Sequence, residues 1–228
     1  SDVNSELVVT YNVIKKDPKE LVSLLKQHEK KHSEEYYYSI RSQFNIENPI
    51  KIASRLIYLN KTCYNGLYRT NSKGEFNTPM GSYVNPAIVS EDNIINCSRV
   101  LQKATIHYKD FTQIKPKPKD FVYFDPPYHP TDEASFTKYT KSDFTEKDQT
   151  RLRDFALQLH KQGIYIMISN SDTRFIRDLY KNKAFIIDTI EAPRMVNCKS
   201  EKRKPIKEVL ITNYQYERAD NPARWFNS

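Results

Sequence analysis

Hydrophobic side chains in the first hundred residues recur every three or four positions, which is the spacing of one buried face of an α-helix. Between residues 4 and 16, Leu7, Val8, Tyr11 and Ile14 follow this spacing and predict a first helix. Further helices are predicted from Asp17 onward, over 33–44, over 49–61 and over 91–102. The front of the chain is therefore expected to be mostly helical.

A polar tract interrupts this helical pattern at residues 63–86. Its sequence, CYNGLYRTNSKGEFNTPMGSYVNP, contains three of the four glycines of the chain, together with several Asn, Ser and Pro residues. These residue types favour turns over helices. The tract is therefore predicted to form a hairpin with tight turns.

From about residue 104, short apolar runs alternate with amphipathic segments. The apolar runs predict strands at 105–108, 121–124, 164–169, 185–190 and 208–213. The amphipathic segments predict helices at 145–161 and 172–181. This alternation is typical of an α/β domain with a mostly parallel sheet and helices on both faces. Because ligands of such sheets bind beyond the carboxyl ends of strands, the residues that follow each strand are candidate site residues.

Composition supports a folded protein and excludes several classes. The 228 residues are 38% hydrophobic and 12% aromatic, which is enough for a core and too much for a disordered chain. No apolar run approaches the roughly 18 residues of a membrane span. The glycines are Gly66, Gly74, Gly81 and Gly163. With this placement neither GxGxxG nor GxxxxGK[ST] occurs, so a nucleotide-binding loop of either kind is excluded from this sequence.

The charge balance and the cysteines bear on partners and location. The net charge of +8 favours a polyanionic partner, although ordinary solubility explains it equally well. Three cysteines stand far apart and show neither metal-ligand nor disulfide spacing. The N-terminus has no basic-then-apolar signal segment. These features favour an intracellular, reducing location.

The segment Asp125-Pro126-Pro127-Tyr128 combines groups that suit a planar ligand with an amino group. It directly follows an apolar strand, and its two prolines fix the backbone and remove two N–H donors while their carbonyls remain as acceptors. A carboxylate and a carbonyl can accept the two hydrogens of the amine while a tyrosine stacks on the ring. Accepting both hydrogens gives the nitrogen lone pair a direction, so that it can attack an electrophilic methyl group.

Several segments together resemble the DNA adenine-N6 methyltransferases of the Dam type. They are NGLYRTNSKGEFNTPMGSY, DFTQI, FVYFDPPYHP, FTKYTKSDFTEKDQ and ISNSDT. DPPY marks amino-methyltransferases broadly, whereas the tract at 64–83 is much more specific to Dam-like enzymes. The resemblance covers nearly the whole chain, from Asp2 to about Tyr214.

The resemblance implies roles for residues at strand ends. Asp125 and the Pro126 carbonyl match the groups that orient the adenine amine, and Tyr128 matches the ring that stacks on the extruded base. The target base must leave the duplex to be reached. The motif also includes Pro127, and Asp125 is expected to border the cofactor as well. The implied cofactor is S-adenosylmethionine.

The cofactor's adenosyl part has its own implied contacts. Asp110 matches a family carboxylate that hydrogen-bonds the cofactor's adenine, and Phe111 is its neighbour in that pocket. Asp2 matches the acidic residue that holds the ribose hydroxyls, by the same logic as in dinucleotide folds.

Double-stranded DNA is the implied partner, read by the tract at 64–83. Arg69 matches an arginine that reads a guanine, a pairing that Arg makes with two hydrogen bonds. Tyr64 matches an aromatic that inserts beside the target base pair. The other DNA contacts implied in or near this tract are Asn65, Leu67, Asn71 and Pro79. Phe136 and Tyr139 are expected in a loop that closes near the flipped base.

Two departures from the family pattern stand out. Some relatives carry an Arg after the glycine of the PxG segment, whereas Gly81 is followed here by Ser82. Family members also begin with a WxGGK-like stretch and an FxGxG loop that supply the first two sheet strands, and this sequence opens at the end of the second strand. We therefore expect either a preceding segment of a longer polypeptide or a partner chain that supplies those strands, and the former is favoured.

The fold class implied is an α/β, Rossmann-like methyltransferase sheet with an inserted, mostly helical DNA-recognition domain. The catalytic domain is expected over 1–16 and 103–228, and the recognition domain over 17–102 with its hairpin at 63–86. The leading function is methyl transfer to adenine N6 in duplex DNA, with GATC as the expected site. Restriction–modification or genome marking would be the role, inside the cell, with no membrane attachment. The alternatives are another target sequence, or a non-catalytic DNA-binding fragment or subunit that needs a second chain to complete the cofactor site.

Overall fold

A computed structural model of the protein describes residues 1–131, 144–192 and 206–216. Contacts between residues divide the chain into two compact units, Ser1–Ile114 and Lys115–Ser228. The boundary between the two units, after Ile114, lies a short segment beyond the predicted boundary at residue 103. The first helix belongs to the same unit as the other helices of residues 1–114. The predicted assignment of 1–16 and 17–102 to different domains stays a prediction.

The first unit is helical, as the hydrophobic spacing predicts. Its helices are α1 (Ser5–Lys16), α2 (Pro18–Lys31), α3 (Glu34–Arg41), α4 (Pro49–Thr62) and α5 (Glu91–Leu101). Polar residues cap several of them: the side chain of Asn4 accepts a hydrogen bond from the Leu7 amide, and Ser33 does the same for Tyr36. Such caps satisfy amides that the first helical turn leaves without partners.

Two hydrophobic clusters hold this unit together. The first joins α1, α2, α4 and α5 through the buried residues Val13, Ile14, Leu21, Val22, Leu25, Ala53 and Ile94. The second joins α3 and α4 to the tract that follows them and contains Tyr37, Ile40, Tyr58, Leu59, Cys63, Phe76 and Ile88. Because each large buried side chain stabilises the fold by about 1.5–3 kcal/mol, the second cluster anchors the base of the 63–86 tract on the helices.

Two histidines lie in an aromatic network beside the second cluster. The His28 ring stacks on Tyr58 with 4.8 Å between ring centroids, and His28 Nδ1 lies 2.8 Å from the Tyr36 hydroxyl. His32 Nδ1 lies 2.9 Å from the Tyr58 hydroxyl. Burial, and to a smaller extent the nearby charge of Lys31, lowers the pKa of His28 from 6.5 to about 4. The folded protein therefore holds this ring neutral.

This histidine makes folding stability depend on pH. Between pH 6.5 and about 4 the unfolded chain binds a proton at His28 that the folded protein does not, so stability is present above this window and is lost as the pH falls through it. We expect the free energy of unfolding, measured in urea between about pH 7 and pH 5, to fall less steeply in His28→Gln than in the unmodified protein. The exposed His107 gives the matched control, His107→Gln. Equal slopes for all three proteins would contradict the assignment.

The second unit contains a sheet and two described helices. The strands are β1 (Phe121–Phe124), β2 (Tyr165–Ser171), β3 (Ile186–Ala192) and β4 (Ile206–Thr212), and the described helices are α6 (Glu146–Lys161) and α7 (Arg174–Leu179). Thr145 begins α6 with a reciprocal capping box with Asp148. Gly163 ends the following turn with a φ of 75°, a conformation that favours glycine.

The sheet has the order β1-β2-β4-β3. β1 and β2 are parallel, whereas β4 is antiparallel to both of its neighbours. The prediction of a mostly parallel sheet is therefore wrong for the described strands, because short apolar runs reveal a strand without its direction. The predicted strand at 105–108 is reduced to a single parallel bridge between Asp2 and Tyr108, in the first unit.

Candidate functional site

The carboxyl end of β1 brings polar groups of two strands together. Phe124 is paired with Ile168 of β2, so the next residues along each strand, Asp125 and Ser169, come to lie beside one another. Pro126 and Pro127 follow Asp125 and have no N–H to continue the sheet hydrogen bonds. The sequence thus ends the strand at the point where its carboxylate faces the neighbouring strand.

A chain of hydroxyl groups orients this carboxylate. The Ser169 hydroxyl donates to Asp125 Oδ1 at 2.8 Å, and the Tyr123 hydroxyl donates to Ser169 Oγ at 3.0 Å. Ser169 is 3% exposed, whereas Asp125 lies at the surface. Ser169 thus orients the carboxylate through Oδ1, and the second carboxylate oxygen, Oδ2, is a further hydrogen-bond acceptor.

Buried side chains hold the backbone that follows. Gln149 Nε2 donates to the Pro127 carbonyl at 2.8 Å, and the His129 amide donates to Asn170 Oδ1 at 2.9 Å. Because the Pro127 carbonyl already accepts this bond, the Pro126 carbonyl is the better candidate to accept from a ligand. The sequence analysis gave no role to Gln149, Ser169 or Asn170. For Ser169 and Asn170 a signal was present, because the apolar strand β2 ends in three polar residues, Ser169 to Ser171.

Tyr128 presents a partly exposed ring beside this carboxylate. The side chain is 38% exposed, and its hydroxyl donates to Glu208 Oε2 over 3.3 Å. Burial is the main cause that raises the pKa of Tyr128 above its ordinary value; a hydrogen bond with Ser169 opposes it, and the negative charges of Glu208 and Asp125 add to it. The phenol therefore stays neutral at physiological pH, and its ring is available for stacking. The predicted groups Asp125, Pro126 and Tyr128 thus form one acceptor-rich site.

Two further carboxylates, those of Asp2 and Asp110, lie on neighbouring segments of the first unit. The Asp2 amide donates to the His107 carbonyl at 3.1 Å, and the Lys109 amide donates to the Asp2 carbonyl at 3.1 Å. Asp110 follows directly, and its Oδ1 accepts from the amide and hydroxyl of Thr112 at 2.9 and 2.6 Å. Phe111 begins the short 3-10 turn that Asp110 caps. Carboxylates accept hydrogen bonds, so this pair suits the hydroxyl and amino donors of an adenosyl group.

The 63–86 tract forms a hairpin-like loop held as much by side chains as by strand pairing. Its backbone pairs only through isolated antiparallel bridges, Cys63 with Met80 and Thr70 with Phe76. Gly74 takes a φ of 80° in the tip turn, which favours glycine. At Gly81 a side chain would lie 2.9 Å from the Cys63 carbonyl, so only glycine fits without displacement. The predicted turn chemistry is confirmed.

Hydrogen bonds from α3 fix the far side of this loop. The Thr78 carbonyl accepts from the Tyr37 hydroxyl at 2.9 Å and from Arg41 at 3.2 Å. The Thr78 hydroxyl in turn donates to the Leu67 carbonyl across the loop at 2.7 Å. The buried α3–α4 face is therefore a rigid support for the exposed side chains of the loop.

An open groove of about 330 Å³ lies on this loop. Its lining residues are Tyr64, Leu67, Arg69, Thr78 and Pro79. Arg69 is exposed, and Asn77 orients its guanidinium by accepting from Nε at 2.8 Å and from Nη2 at 3.2 Å. Four of the predicted DNA contacts therefore meet in one groove, and sequence reasoning missed the roles of Asn77 and Thr78.

The remaining predicted contacts fall elsewhere. Asn65 sits at the start of the loop with a φ of 53°. Asn71 shapes the tip, where its side chain donates to Glu75 at 2.8 Å and accepts from the amides of Lys73 and Glu75 at 2.9 and 3.0 Å. Asn71 therefore acts on the loop itself in this structure. Phe136 and Tyr139 lie outside the described residues.

Over the described parts of the chain, the helices are too short or too polar to cross a lipid bilayer.

Comparisons with known proteins bear on the whole chain. A sequence profile of the D12 class N6 adenine-specific DNA methyltransferases matches residues 1–196. Type II methyltransferase M.MjaIII of Methanocaldococcus jannaschii is 43% identical over 230 aligned positions, covering 94% of this chain and 79% of that protein. Type II methyltransferase M1.LlaDCHI of Lactococcus lactis is 41% identical, covering 94% of this chain and 78% of that protein. The DNA adenine methylase of Escherichia coli K12 is 32% identical, covering 92% and 77%.

Proposed function

Because this chain belongs to the D12 class of N6 adenine-specific DNA methyltransferases, we propose that the acceptor-rich site at the end of β1 holds the target adenine. The observation that carries the proposal is the Asp125 carboxylate, which Ser169 fixes at 2.8 Å beside the exposed ring of Tyr128. Acceptors placed in this way beside a ring that can stack match the exocyclic amino group of a base, and the family to which the chain belongs favours the N6 amine of adenine.

The proposed chemistry follows from these acceptors. Asp125 Oδ2 and the Pro126 carbonyl accept the two hydrogens of N6, so the nitrogen lone pair is directed away from both. This lone pair would attack a methyl group that the cofactor supplies, and the electron pair of the broken methyl–sulfur bond would remain on sulfur. N6 then releases one proton through the Asp125 carboxylate to water. The protein's part is orientation and the electrostatic match to the positive charge that develops on N6.

S-adenosylmethionine is the proposed methyl donor, and it supplies a methyl group already activated on a positively charged sulfur. Within the first unit, Asp2 is proposed to accept from the ribose hydroxyls and Asp110 from the adenine amine, with Phe111 beside it. The residues fit this group, because backbone hydrogen bonds place Asp2 beside the segment that leads to Asp110, and both carboxylates can accept the hydroxyl and amino hydrogens that the adenosyl part offers.

Base flipping is proposed as the way the adenine reaches Tyr128. An amine stacked inside a duplex is not accessible for in-line attack, so the nucleotide must turn out of the helix. The half-exposed Tyr128 ring, whose hydroxyl is bonded to Glu208, offers a flat surface to receive the base.

The loop at 63–86 is proposed to read the duplex, with GATC as its target. Arg69 would read a guanine through two hydrogen bonds, and Tyr64 and Leu67 would contact the neighbouring base pairs from the same groove. Relatives at 32–34% identity are named DNA adenine methylase. The recognition domain is proposed to extend over 17–102, and the type II methyltransferase names of other relatives favour a role in restriction–modification.

The target sequence can be tested with a panel of short duplexes. We expect tritiated methyl groups to pass from S-adenosylmethionine to a GATC duplex, and more slowly to duplexes that differ by one base pair. Digestion to nucleosides then identifies the product as N6-methyladenine. Faster transfer to an unrelated sequence than to GATC would show that GATC is not the target and would identify the other sequence as the target. Duplex binding without any transfer would favour the non-catalytic alternative.

Arg69→Ala is expected to reduce the discrimination between duplexes of this panel that differ at one base pair of the target sequence. The loss of discrimination should be about 1–2 kcal/mol, the lower part of the range for an arginine–guanine pair, because Arg69 is exposed to water. Arg69→Lys should lose nearly as much, since lysine keeps the charge without the two-pronged geometry.

Lys73→Ala, at the exposed tip of the same loop, is the matched control and should weaken binding to all duplexes alike. If Arg69→Ala also lowered the rate on every duplex by one common factor, the base-reading role of Arg69 would be wrong.

A further inference from the structure

Two fully buried side-chain carboxamides, those of Gln149 and Asn170, form hydrogen bonds with the backbone on both sides of Tyr128. Gln149 is 1% exposed and Asn170 is 0% exposed. Gln149 Nε2 donates to the Pro127 carbonyl at 2.8 Å, before Tyr128. Asn170 Oδ1 accepts from the His129 amide at 2.9 Å, after Tyr128. The two side chains are joined by a bond of 3.1 Å from Asn170 Nδ2 to Gln149 Oε1.

The direction of every bond in this network is fixed by the backbone. The amides of His129 and Ser171 both point at one end of Asn170, at 2.9 Å each, so that end must be the oxygen. The Asn170 nitrogen must then face the Gln149 oxygen, which leaves the Gln149 nitrogen for the Pro127 carbonyl. Buried carboxamides that satisfy their polar atoms in one arrangement only make a rigid and specific contact.

We propose that Gln149 and Asn170 are positioning residues, a carboxamide clamp that holds the Pro127–His129 backbone and thereby sets where the Tyr128 ring and the Pro126 carbonyl meet the target base. The effect on catalysis rests on the role proposed above for Tyr128 and Pro126. The clamp itself is a property of the backbone and can be measured without substrate.

Hydrogen exchange gives that direct measurement. Pro126, Pro127 and Pro130 have no amide hydrogen, so the segment 126–130 reports only Tyr128 and His129. The clamp predicts slow exchange at His129. In Gln149→Met, which has a similar volume but no hydrogen-bonding groups, we expect exchange in this segment to quicken by at least about tenfold. Exchange as slow as in the unmodified protein would overturn the clamp.

Gln149→Glu separates a positioning role from simple packing. An ionised glutamate places an oxygen against the Pro127 carbonyl, whereas a protonated one can donate to it and still accept from Asn170. We expect methyl transfer at saturating cofactor to be roughly tenfold slower than in the unmodified protein at about pH 8.5, and the deficit to shrink towards pH 6 as the buried carboxyl takes up its proton. Gln149→Met should be slow at both pH values.

Other titratable groups near the clamp also change charge with pH, so the pH dependence of the methyl-transfer rate is measured for the unmodified protein in parallel. They are His129, Glu146 and Asp148 beside the clamp, and Asp125, Tyr128 and Glu208 around the loop. Gln162→Glu, the same change at an exposed position beyond the end of α6, is the matched control and should follow the unmodified profile. Melting temperatures show whether Gln149→Met and Gln149→Glu fold, and if one of them fails to fold, the other carries the test.

The outcomes distinguish the two proposals. Faster exchange with a pH-dependent rate deficit supports the clamp and its role in catalysis. Faster exchange with unchanged methyl transfer supports the contact but overturns its catalytic role. An unmodified protein that transfers no methyl group to adenine would instead count against the proposed function, with the exchange result still deciding the clamp.

Discussion

Asp125→Asn is expected to slow methyl transfer by about 10²–10⁴-fold while leaving the affinity for duplex nearly unchanged. Asparagine has almost the same shape, but it is neutral and has one acceptor oxygen where aspartate has two. The Ser169 hydroxyl donates to one carboxylate oxygen at 2.8 Å. The asparagine therefore either keeps that bond and turns its NH₂ toward the adenine amine, or releases it. In both cases the lone pair of N6 loses its direction and its charge partner.

Single-turnover transfer of tritiated methyl groups to a GATC duplex measures this effect, because product release does not limit it. Duplex affinity is measured separately by fluorescence anisotropy. Asp178→Asn, on the exposed face of α7, is the matched control and should transfer at the unmodified rate. A rate for Asp125→Asn within about threefold of the unmodified protein would overturn the proposed chemistry, since a charge-assisted hydrogen bond to the reacting group is worth more than that.

Tyr128→Ala is expected to slow transfer by roughly 100-fold, and Tyr128→Phe by much less. Stacking of a base on an aromatic ring contributes about 1–3 kcal/mol, and loss of the ring also leaves the base free to move away from Asp125. Phenylalanine keeps the ring and loses only the hydroxyl bond to Glu208, which is long at 3.3 Å. Comparing the transfer rates of the two variants therefore separates the contribution of the ring from that of the hydroxyl.

A fluorescent base analogue tests the stacking on Tyr128 without requiring methyl transfer. With 2-aminopurine in place of the target adenine, we expect stacking on Tyr128 to quench the emission of the extruded base, and the alanine variant to restore it. The phenylalanine variant should quench as the unmodified protein does. Tyr165→Ala, another half-exposed tyrosine of the same unit, serves as control. Identical emission from all four proteins would remove Tyr128 from the base site.

The helices could be predicted because their signals are local. The spacing of Leu7, Val8 and Ile14 is contained within four turns of chain, and α1 begins and ends within a residue of the prediction. Strand direction is not local in this sense. β4 contacts β2 and β3 in antiparallel register, and nothing in its apolar alternation encodes which way it runs. Four of the five predicted strands are therefore present, and the predicted parallel direction holds for β1 and β2 but is wrong for β4.

The residues of the candidate site also differ in whether local sequence reveals them. Asp125 and Tyr128 could be proposed from the sequence because four consecutive residues combine a carboxylate, free carbonyls and an aromatic ring. Ser169, Gln149 and Asn170 could not be assigned, because their roles depend on contacts with residues 44, 22 and 41 positions away along the chain. Polar residues buried at the end of an apolar strand are the signal that would have drawn attention to two of them.

The three prolines of the segment 125–130 give this stretch few donors and many acceptors. If the target base is held as proposed, this imbalance decides which member of an A·T pair is modified. A thymine turned out in place of the adenine would present its O4 carbonyl to the Asp125 carboxylate and the Pro126 carbonyl. Three oxygen atoms would then face one another with no hydrogen between them, and each would lose the water that it bonded before. Under that proposal, repulsion between these oxygen atoms would keep the thymine of the partner strand out of the site.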